Sequence, residues 1–164
     1  MLEYFSHSVE ETMALGYAFG RGLKPNSVVC FSGDLASGKT TFIKGVVAGA
    51  AQCHTDIVNS PTFVYLNIYA GKIKVYHFDL YRMQGVDDFL SMGFEDLLFA
   101  QGICCIEWSE RIAALLPENC MHIQMSHPSY MPASDRESPD KPHNAQDSGM
   151  RRILSTEPFI HFEG

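Results

Sequence analysis

The residues best suited to chemistry lie together in one stretch, Gly33-Asp34-Leu35-Ala36-Ser37-Gly38-Lys39-Thr40, which reads G-x-x-x-x-G-K-T. In loops of this pattern, backbone N–H groups surround phosphate oxygens, the lysine reaches the β- and γ-phosphates, and the last hydroxyl binds Mg²⁺. The two glycines allow backbone conformations and close approaches that a Cβ would obstruct. This stretch, called the phosphate loop below, therefore predicts a site for a nucleoside triphosphate.

The segments on either side of the phosphate loop fit that prediction. Residues 28–31 form a short apolar run typical of a strand that is buried on both faces. From 41 to 50, apolar residues recur at helical spacing. A helix that begins directly after the loop would add its unpaired N–H groups and partial positive charge to the phosphate site. The alternative is a chance match in an ordinary strand-to-helix turn.

Two carboxylates follow strand-like runs, at the edge of an open α/β sheet where ligands collect. Glu107 directly follows the apolar run 103–106, and we expect it to help hold Mg²⁺ rather than to be a solvated acid. Asp79 directly follows the run 73–78 and could orient or deprotonate water, or act as a base toward a substrate hydroxyl. On the residues alone, a turn-stabilising pair between Asp79 and Arg82 explains this aspartate equally well.

Aromatic and imidazole side chains add one further candidate. Trp108, the single tryptophan, follows the predicted metal ligand and could stack on a base or anchor a protein partner. A position in the core or at a hinge is the alternative. The seven histidines show no metal-ligand spacing, so we predict no metal site from them, and His77 is expected to pack beside a hairpin.

The remaining elements would position these residues in a sheet flanked by helices. Ser8 and Glu11 form a capping box that predicts a helix to about Arg21, with Thr12 on its core-facing stripe. Residues 63–69 and 73–78 are rich in β-branched and aromatic side chains and predict an antiparallel hairpin. The other predicted elements are helical segments at 86–91, 95–100 and 109–116, and strands at 120–125, 151–154 and 159–162.

Length and charge limit the class of protein. The 164 residues suit a single domain, residues 1–164, with 46% apolar and 19% charged side chains. No apolar stretch is long enough to span a bilayer, and the first residues do not resemble a signal peptide. The net charge of −7 argues against an extensive nucleic-acid surface, so any contact with RNA is expected to be local or made through a partner.

The cysteines and a proline-rich segment also allow predictions. The five cysteines are an odd number without C-x-x-C spacing, and Cys30, Cys104 and Cys105 lie in apolar runs. Buried, reduced thiols are therefore expected, which points to the cytoplasm. Residues 126–148 hold four of the eight prolines and few large apolar side chains, and they predict a long mobile loop.

Three short motifs follow the phosphate loop along the chain: Ser60-Pro61-Thr62-Phe63, Tyr76-His77-Phe78-Asp79-Leu80-Tyr81-Arg82 and Ile106-Glu107-Trp108. In this order, the phosphate loop and the three motifs resemble the TsaE family. That family comprises bacterial ATPases needed for threonylcarbamoylation of a tRNA adenosine beside the anticodon. The resemblance covers residues 12–117 and implies a P-loop NTPase-like α/β fold, with a mostly parallel mixed sheet, an antiparallel hairpin and flanking helices.

The resemblance also implies roles for individual residues toward ATP and Mg²⁺. Lys39 and the amides of the loop, from Gly33 to Thr41, would hold the phosphates, while Thr40 and Glu107 would hold Mg²⁺. Lys39 and Asp79 are the implied catalytic residues, with Asp79 supporting hydrolysis. The other implied contributors are Thr62 in a switch-like loop, Trp108 in activity or partner contact, and Thr12 near the nucleotide. Only Arg151 or Arg152 could match the basic residue found near the C-terminus of the family.

The resemblance further implies a partner complex. TsaE-like proteins act on the TsaB–TsaD pair, where the partner transfers the threonylcarbamoyl group and ATP hydrolysis sustains turnover. The isolated chain is then expected to hydrolyse ATP slowly, and to meet tRNA only indirectly or locally. Two other functions fit the phosphate loop: a small-molecule kinase with Asp79 as the base, and a module that uses ATP only as a structural ligand.

One departure from the family pattern carries a structural prediction. The family loop usually reads G-D-L-G-A-G-K-T, whereas Ala36 and Ser37 stand here in place of Gly and Ala. If the position of Ala36 requires a positive φ, the alanine strains the loop by roughly 1 kcal/mol or more.

Overall fold

A seven-stranded sheet forms the centre of the computed structural model, which describes residues 1–127 and 150–157. The strands are β1 (Leu2–Ser6), β2 (Val28–Ser32), β3 (Leu66–Tyr69), β4 (Val75–Asp79), β5 (Ile103–Glu107), β6 (Met121–Ser126) and β7 (Arg151–Ser155). Their order in the sheet is β1-β7-β6-β2-β5-β4-β3.

The four central strands run parallel, and the outer strands make the sheet mixed. β6, β2, β5 and β4 pair in parallel, whereas β3 pairs antiparallel with β4, β7 with β6, and β1 with β7. The predicted α/β fold with a mixed, mostly parallel sheet and an antiparallel hairpin is therefore confirmed. Parallel pairing brings the carboxyl ends of β2, β5 and β4 to one edge, which is where the candidate site lies.

Helices cover both faces of the sheet and divide the core in two. The helices are α1 (Val9–Gly22), α2 (Lys39–Ala51) and α3 (Val86–Ser91), with 3₁₀ helices at Thr55–Ile57, Glu95–Phe99 and Ser109–Leu115. Alternation along β2 directs Val29 and Phe31 toward α1 and α2, and Val28 and Cys30 toward α3 and the last two 3₁₀ helices.

Helices α1 and α2 pack with their backbones close together. A Cβ at Gly16 would lie 2.1 Å from the Phe42 carbonyl oxygen, which no side chain could accommodate without a backbone shift. Ser8 caps α1 as predicted, because its side chain accepts a hydrogen bond from the Glu11 N–H. This packing fixes the start of α1, including Thr12, against the helix that follows the phosphate loop.

Two predicted elements differ from the structure, and one strand was not predicted. The strand predicted at 63–69 begins only at Leu66, because the Pro61 carbonyl accepts hydrogen bonds from the N–H groups of Val64 and Tyr65 and closes a turn. The helix predicted at 109–116 is a 3₁₀ helix, Ser109–Leu115, which follows Trp108 with φ 60°. Strand β1 was not predicted, and its burial pattern explains why, since only Ser6 is fully buried.

The remaining predictions concern the loop at 126–148, the last strand at 159–162, the cysteines and membrane spans. Ser126 is the last residue of β6, and the rest of the predicted loop lies outside the described residues except for His127. The strand predicted at 159–162 also lies outside them. All five cysteines are free, and Cys30, Cys104 and Cys105 are buried as expected. Among the described residues, no helix has both the length and the apolar character needed to cross a membrane.

Candidate functional site

A cavity of about 370 Å³ opens at the carboxyl ends of β2, β4 and β5. Residues 35–41, from the phosphate loop and the first turn of α2, form one wall. Ser8, Val9 and Thr12 at the start of α1 form a second wall. The size and mixed polar lining suit a small ligand held at the switch between strands of an α/β sheet.

The phosphate loop bends sharply between β2 and α2, and this bend needs glycine. Gly33 has φ 132°, and a Cβ there would lie 2.0 Å from the Met125 carbonyl oxygen on the neighbouring strand β6. Gly38 has φ 101° at the start of α2. Ala36 has φ 62°, so the strained conformation expected for a non-glycine residue at this position is present.

Lys39 is oriented by the loop that carries it. Its Nζ donates hydrogen bonds to the carbonyl oxygens of Gly33 at 2.7 Å and Asp34 at 2.8 Å. The ammonium also lies 4.8 Å from the centre of the Trp108 ring. Only 4% of Lys39 is exposed, and burial lowers its pKa from the usual value while the carboxylates of Glu107 and Asp79 act in the opposite direction.

Glu107 receives two hydrogen-bond donors on a single oxygen. The Thr40 hydroxyl donates to Glu107 Oε1 at 2.9 Å, and His77 Nε2 lies 2.9 Å from the same atom. An ionised carboxylate only accepts hydrogen bonds, so Nε2 carries the proton of the second contact. His77 is fully buried and its Nδ1 has no partner among the described residues. Among the described residues, the imidazole nitrogens therefore have one polar partner, Glu107.

The strand pairing explains why these side chains meet. Asp79 of β4 pairs with Glu107 of β5 in parallel register, and His77 lies two residues before Asp79 on the same face of its strand. Val75, two residues earlier again, faces the core shared with α1 and α2. All three polar side chains therefore point to the face on which Lys39 and Thr40 begin α2.

Asp79 is held by hydroxyls rather than by Arg82. Its Oδ2 accepts hydrogen bonds from Ser60 Oγ at 2.7 Å and Thr62 Oγ1 at 2.6 Å, and its Oδ1 accepts from the Tyr81 N–H at 3.1 Å. The Arg82 guanidinium instead lies 5.1 Å from the centre of the Phe63 ring. Among the described residues, the turn-stabilising Asp79–Arg82 pair considered from the sequence is not formed.

The chemistry of the donor set fits Mg²⁺. Thr40 Oγ1 and a Glu107 carboxylate oxygen lie 2.9 Å apart, and Asp79 lines the same cavity. Mg²⁺ prefers oxygen ligands and keeps several waters when one or two protein oxygens and a substrate phosphate complete its shell. These residues therefore suit a magnesium ion that is shared with a phosphate group.

Comparison with known proteins identifies the family. A family model described as "Threonylcarbamoyl adenosine biosynthesis protein TsaE" matches residues 6–137. The chain belongs to the TsaE family. A protein named tRNA threonylcarbamoyladenosine biosynthesis protein TsaE, from Treponema pallidum, is 39% identical over 120 residues, covering 73% of this chain and 87% of that protein. A protein of the same name from Bacillus subtilis is 37% identical over 123 residues, which cover 74% of this chain and 75% of that protein.

A solved structure supports the same assignment at the level of the fold. The crystal structure of YdiB from Bacillus subtilis is similar to this chain with a TM-score of 0.65 and 29% sequence identity. The similarity covers 93% of this chain and 82% of that one. The resemblance to TsaE proteins inferred from the four short motifs is thus confirmed, as is the α/β fold.

The cavity brings together most of the residues predicted from the TsaE resemblance. Gly33 and Asp34 do not line it and instead contact Lys39 through their carbonyl oxygens. Thr12 lines it but turns its hydroxyl to the Ser8 carbonyl and the Ser6 hydroxyl. The remaining predicted residues that line it are the stretch 35–41, Thr62, Asp79, Glu107 and Trp108.

Four further lining residues were not predicted as site residues: Ser8, Val9, Ser60 and Tyr81. A fifth, Arg151, is one of the two arginines that the resemblance suggested as a basic residue near the C-terminus. Ser60 and Tyr81 stand within the quoted motifs, so the TsaE resemblance contained the signal for both. Arg151 reaches the phosphate loop from β7, because its Nε lies 3.5 Å from the point where a Cβ of Gly38 would be. Arg152 pairs with Glu3 on β1 instead, so the structure selects Arg151 as the basic residue at the cavity.

Proposed function

We propose that this TsaE-family chain is a Mg²⁺-dependent ATPase that acts in tRNA threonylcarbamoyladenosine biosynthesis by sustaining turnover of a TsaB–TsaD complex. The observation that carries the proposal is the convergence of Lys39, Thr40, Glu107 and Asp79 on one cavity behind a glycine-rich strand-to-helix turn. The same arrangement of lysine, hydroxyl and acid binds the phosphates and metal of nucleotides in P-loop proteins.

The binding step follows from the geometry of the phosphate loop. The N-terminus of α2 and the loop N–H groups offer partial positive charge to the β- and γ-phosphates. The Lys39 ammonium, held beside the Gly33 and Asp34 carbonyls, is already oriented and needs only to exchange part of its hydrogen bonding to reach a phosphate oxygen. The Arg151 side chain, beside Gly38, would add a second cation to the same wall.

Thr40 and Glu107 would hold Mg²⁺ at the γ-phosphate side of the site. The ion, when bound, neutralises charge that develops on the phosphates during their transfer to water. His77 keeps Glu107 Oε1 in place, so the carboxylate does not have to reorganise when the ion binds.

Asp79 is the residue best placed to orient the attacking water. Its carboxylate lines the cavity and is fixed by Ser60 and Thr62, which belong to a turn outside the sheet. Fixing a carboxylate in this way orients its lone pairs toward a water proton without requiring a strong base. Isolated P-loop enzymes that lack a partner residue hydrolyse nucleotide at rates as low as ~10⁻⁴ s⁻¹, so slow turnover of the isolated chain is expected.

The partner assignment rests on the relatives' names and on charge. The relatives are named as proteins of tRNA threonylcarbamoyladenosine biosynthesis, yet this chain carries a net charge of −7 and is poorly suited to grip tRNA by itself. A complex that binds the tRNA and transfers the threonylcarbamoyl group would supply what this chain lacks. The chain would then couple ATP hydrolysis to another cycle of that complex.

Reconstitution tests the proposal. The purified chain is mixed with TsaB, TsaD, tRNA, threonylcarbamoyl adenylate as the group donor, ATP and Mg²⁺, and both free phosphate and modified tRNA are measured with and without the chain. We expect multiple turnovers of tRNA modification only with the chain present, and phosphate release that needs no small-molecule acceptor. Phosphate transferred to an acceptor instead of water would support a kinase and contradict the proposal.

Two variants with matched controls locate the activity. Lys39→Ala is expected to abolish productive nucleotide binding, whereas Lys72→Ala, at an exposed lysine on the hairpin turn, is not. Asp79→Ala is expected to keep nucleotide binding and lose turnover, whereas Asp56→Ala, at an exposed aspartate, keeps both. Full modification activity in Asp79→Ala would instead favour a module that uses ATP as a structural ligand.

A further inference from the structure

Three residues with soft metal-binding side chains meet on the other face of the sheet, away from α1 and α2. They are Cys30 on β2, Cys120 immediately before β6, and His122 on β6. One ligand atom from each residue lies within 4.8 Å of the other two. Thiolate sulfur and imidazole nitrogen are the ligands that Zn²⁺ and related cations prefer.

The sheet itself produces this cluster from residues that are distant in sequence. Cys30 and His122 are direct partners in the parallel pairing of β2 and β6, so their side chains leave the sheet on the same face. Cys120 lies two residues before His122 and therefore points the same way. Cys30 belongs to the core on that face, and Cys120 packs against it.

The cluster is anchored at one end and accessible at the other. Cys30 is buried, Cys120 is half-buried and His122 is exposed. Cys120 Sγ and His122 Nε2 are already 3.2 Å apart. With Zn–S bonds of about 2.3 Å and Zn–N bonds of about 2.0–2.1 Å, neighbouring ligand atoms of a tetrahedral site lie roughly 3.5–3.8 Å apart. Small side-chain movements would therefore bring the three ligand atoms to this spacing.

We propose that Cys30, Cys120 and His122 form a site for a thiophilic cation of the Zn²⁺ class, with solvent as the fourth ligand. This site is chemically distinct from the oxygen-rich Mg²⁺ site at Thr40 and Glu107, because hard and soft cations select different donors. The cation would join β2 to β6, and so stabilise the strand that ends at Ser32, directly before the phosphate loop.

Proton release is a built-in consequence of binding. Burial, with a further contribution from the neighbouring Cys120, raises the pKa of the Cys30 thiol to about 12, and a hydrogen bond with Ser109 acts against this rise. The cation must therefore displace a thiol proton, and apparent affinity rises with pH across the neutral range. This trend separates thiolate ligation from weak binding to surface carboxylates.

Cobalt provides a direct readout of the ligands. The reduced full-length chain is titrated with Co²⁺, whose thiolate charge-transfer bands report sulfur ligation, and then with Zn²⁺ in competition with a chromophoric chelator. We expect one equivalent of Co²⁺ with thiolate bands, displaced by one equivalent of Zn²⁺. The Co²⁺ titration is repeated on the Glu107→Gln variant without ATP. We expect the same thiolate bands as in the parent chain, because the proposed Zn²⁺ site is separate from the Mg²⁺ site that contains Glu107.

Variants at the accessible ligands test the assignment. His122→Ala and Cys120→Ser are each expected to weaken Zn²⁺ binding by at least roughly tenfold. The matched control is Cys53→Ser, a half-buried thiol that donates to the Ala70 carbonyl, and it should bind as the parent does. Because His122 is exposed, His122→Ala is expected to fold even if Cys120→Ser does not.

Three results would overturn the proposal. The first is a reduced parent chain that shows no thiolate bands with Co²⁺. The second is unchanged Zn²⁺ affinity in a folded His122→Ala variant. The third is a chain that forms a Cys30–Cys120 disulfide in air and, once reduced, still binds no Zn²⁺.

Discussion

His77 Nε2 and the Thr40 hydroxyl both lie 2.9 Å from the same oxygen of Glu107, Oε1. The hydrogen bonds that the described residues make to this carboxylate all fall on Oε1, which leaves Oε2 free for a further ligand. Strand β4 thus contributes two residues to the site: Asp79 at the cavity, and His77 behind Glu107. His77 is a positioning residue, because it acts on the proposed metal ligand and not on the nucleotide.

Removing the His77 imidazole should weaken Mg²⁺ binding more than nucleotide binding. Loss of a partner behind a metal ligand typically reduces metal affinity roughly 10- to 100-fold. We expect His77→Ala to raise the Mg²⁺ concentration for half-maximal ATPase activity by that factor, with ATP binding in the absence of Mg²⁺ unchanged. His77→Gln, whose amide can donate to Oε1, should recover part of the loss, and His54→Ala, at an exposed histidine, should show none.

The single tryptophan offers a direct assay of the phosphate loop. Because the Lys39 ammonium lies 4.8 Å from the centre of the Trp108 ring, a nucleotide that draws Lys39 toward its phosphates should change the intrinsic fluorescence. Lys39→Ala is expected to lose productive ATP binding, with an affinity for ATP that is lower by at least roughly 10- to 100-fold, the loss expected for a charged hydrogen-bond donor. An ATP titration followed by Trp108 fluorescence and by calorimetry checks both statements. Equal affinity in parent and Lys39→Ala would contradict them.

The two hydroxyls on Asp79 Oδ2 should act as a unit. Hydrogen bonds to charged groups contribute about 1.5–3 kcal/mol, and 1.4 kcal/mol corresponds to tenfold in rate. We expect Ser60→Ala and Thr62→Val each to reduce kcat for ATP hydrolysis roughly tenfold or more, with little change in the Kd for ATP. The double variant should lose less than the sum of the two free-energy changes, because both hydroxyls bind one oxygen. Additive losses would show that they act independently.

Ala36→Gly should stabilise the fold slightly. Left-handed backbone costs a non-glycine residue about 1–2 kcal/mol, whereas glycine loses about 0.5–1 kcal/mol more than alanine in conformational freedom. We expect the free energy of unfolding in urea to rise by up to about 1 kcal/mol. The matched control, Ala48→Gly within α2, should lower it by about 1 kcal/mol, because the helical backbone there has no strain to relieve. A destabilised Ala36→Gly variant would mean that φ 62° costs this loop little.

The buried thiols predict a loss of stability at alkaline pH. Burial raises the pKa of Cys104 to about 12 from an unfolded value of 9.0. The contribution of this thiol to the free energy of unfolding is therefore complete below pH 9 and is lost as pH rises toward 12. Within this window each such thiol lowers the free energy of unfolding by about 1.4 kcal/mol per pH unit.

A comparison of two variants isolates this thiol effect. The destabilisation caused by Cys104→Ala should shrink as pH is raised from 9 to 11 in urea unfolding. That of Val28→Ala, at a non-titrating residue in the same core, should stay constant. A Cys104→Ala effect that is independent of pH would contradict the raised pKa.

Local patterns predicted the parts of the site that lie close together in sequence. The phosphate loop, its flanking strand and its helix occupy one continuous stretch, so pattern and structure agree there. Asp79 and Glu107 could be expected near each other because both follow buried strands that end at one edge of a parallel sheet. His77 was not predicted as a site residue, although its position two residues before Asp79 places it on the same face of β4.

Residues that arrive through strand pairing could not be predicted in this way. Arg151 reaches the phosphate loop because β7 runs antiparallel to β6, and the choice between Arg151 and Arg152 depends on which face of β7 meets the cavity. Cys30 and His122 become neighbours through the register between β2 and β6. Hydrophobic patterns reveal strands but do not state their order or register, because a buried strand pairs favourably with several partners.

The close backbone approach of Gly16 in α1 to Phe42 in α2 leaves little space for one helix to move against the other. The cavity wall at Ser8 and Thr12 is therefore tied to the helix that begins at Lys39. We therefore expect movement at the entrance of the cavity to occur on its other side, in the turn that carries Ser60 and Thr62. An ATP analogue should slow amide hydrogen exchange in the phosphate loop that it contacts and, beyond that loop, chiefly in this turn, with helix α1 almost unaffected.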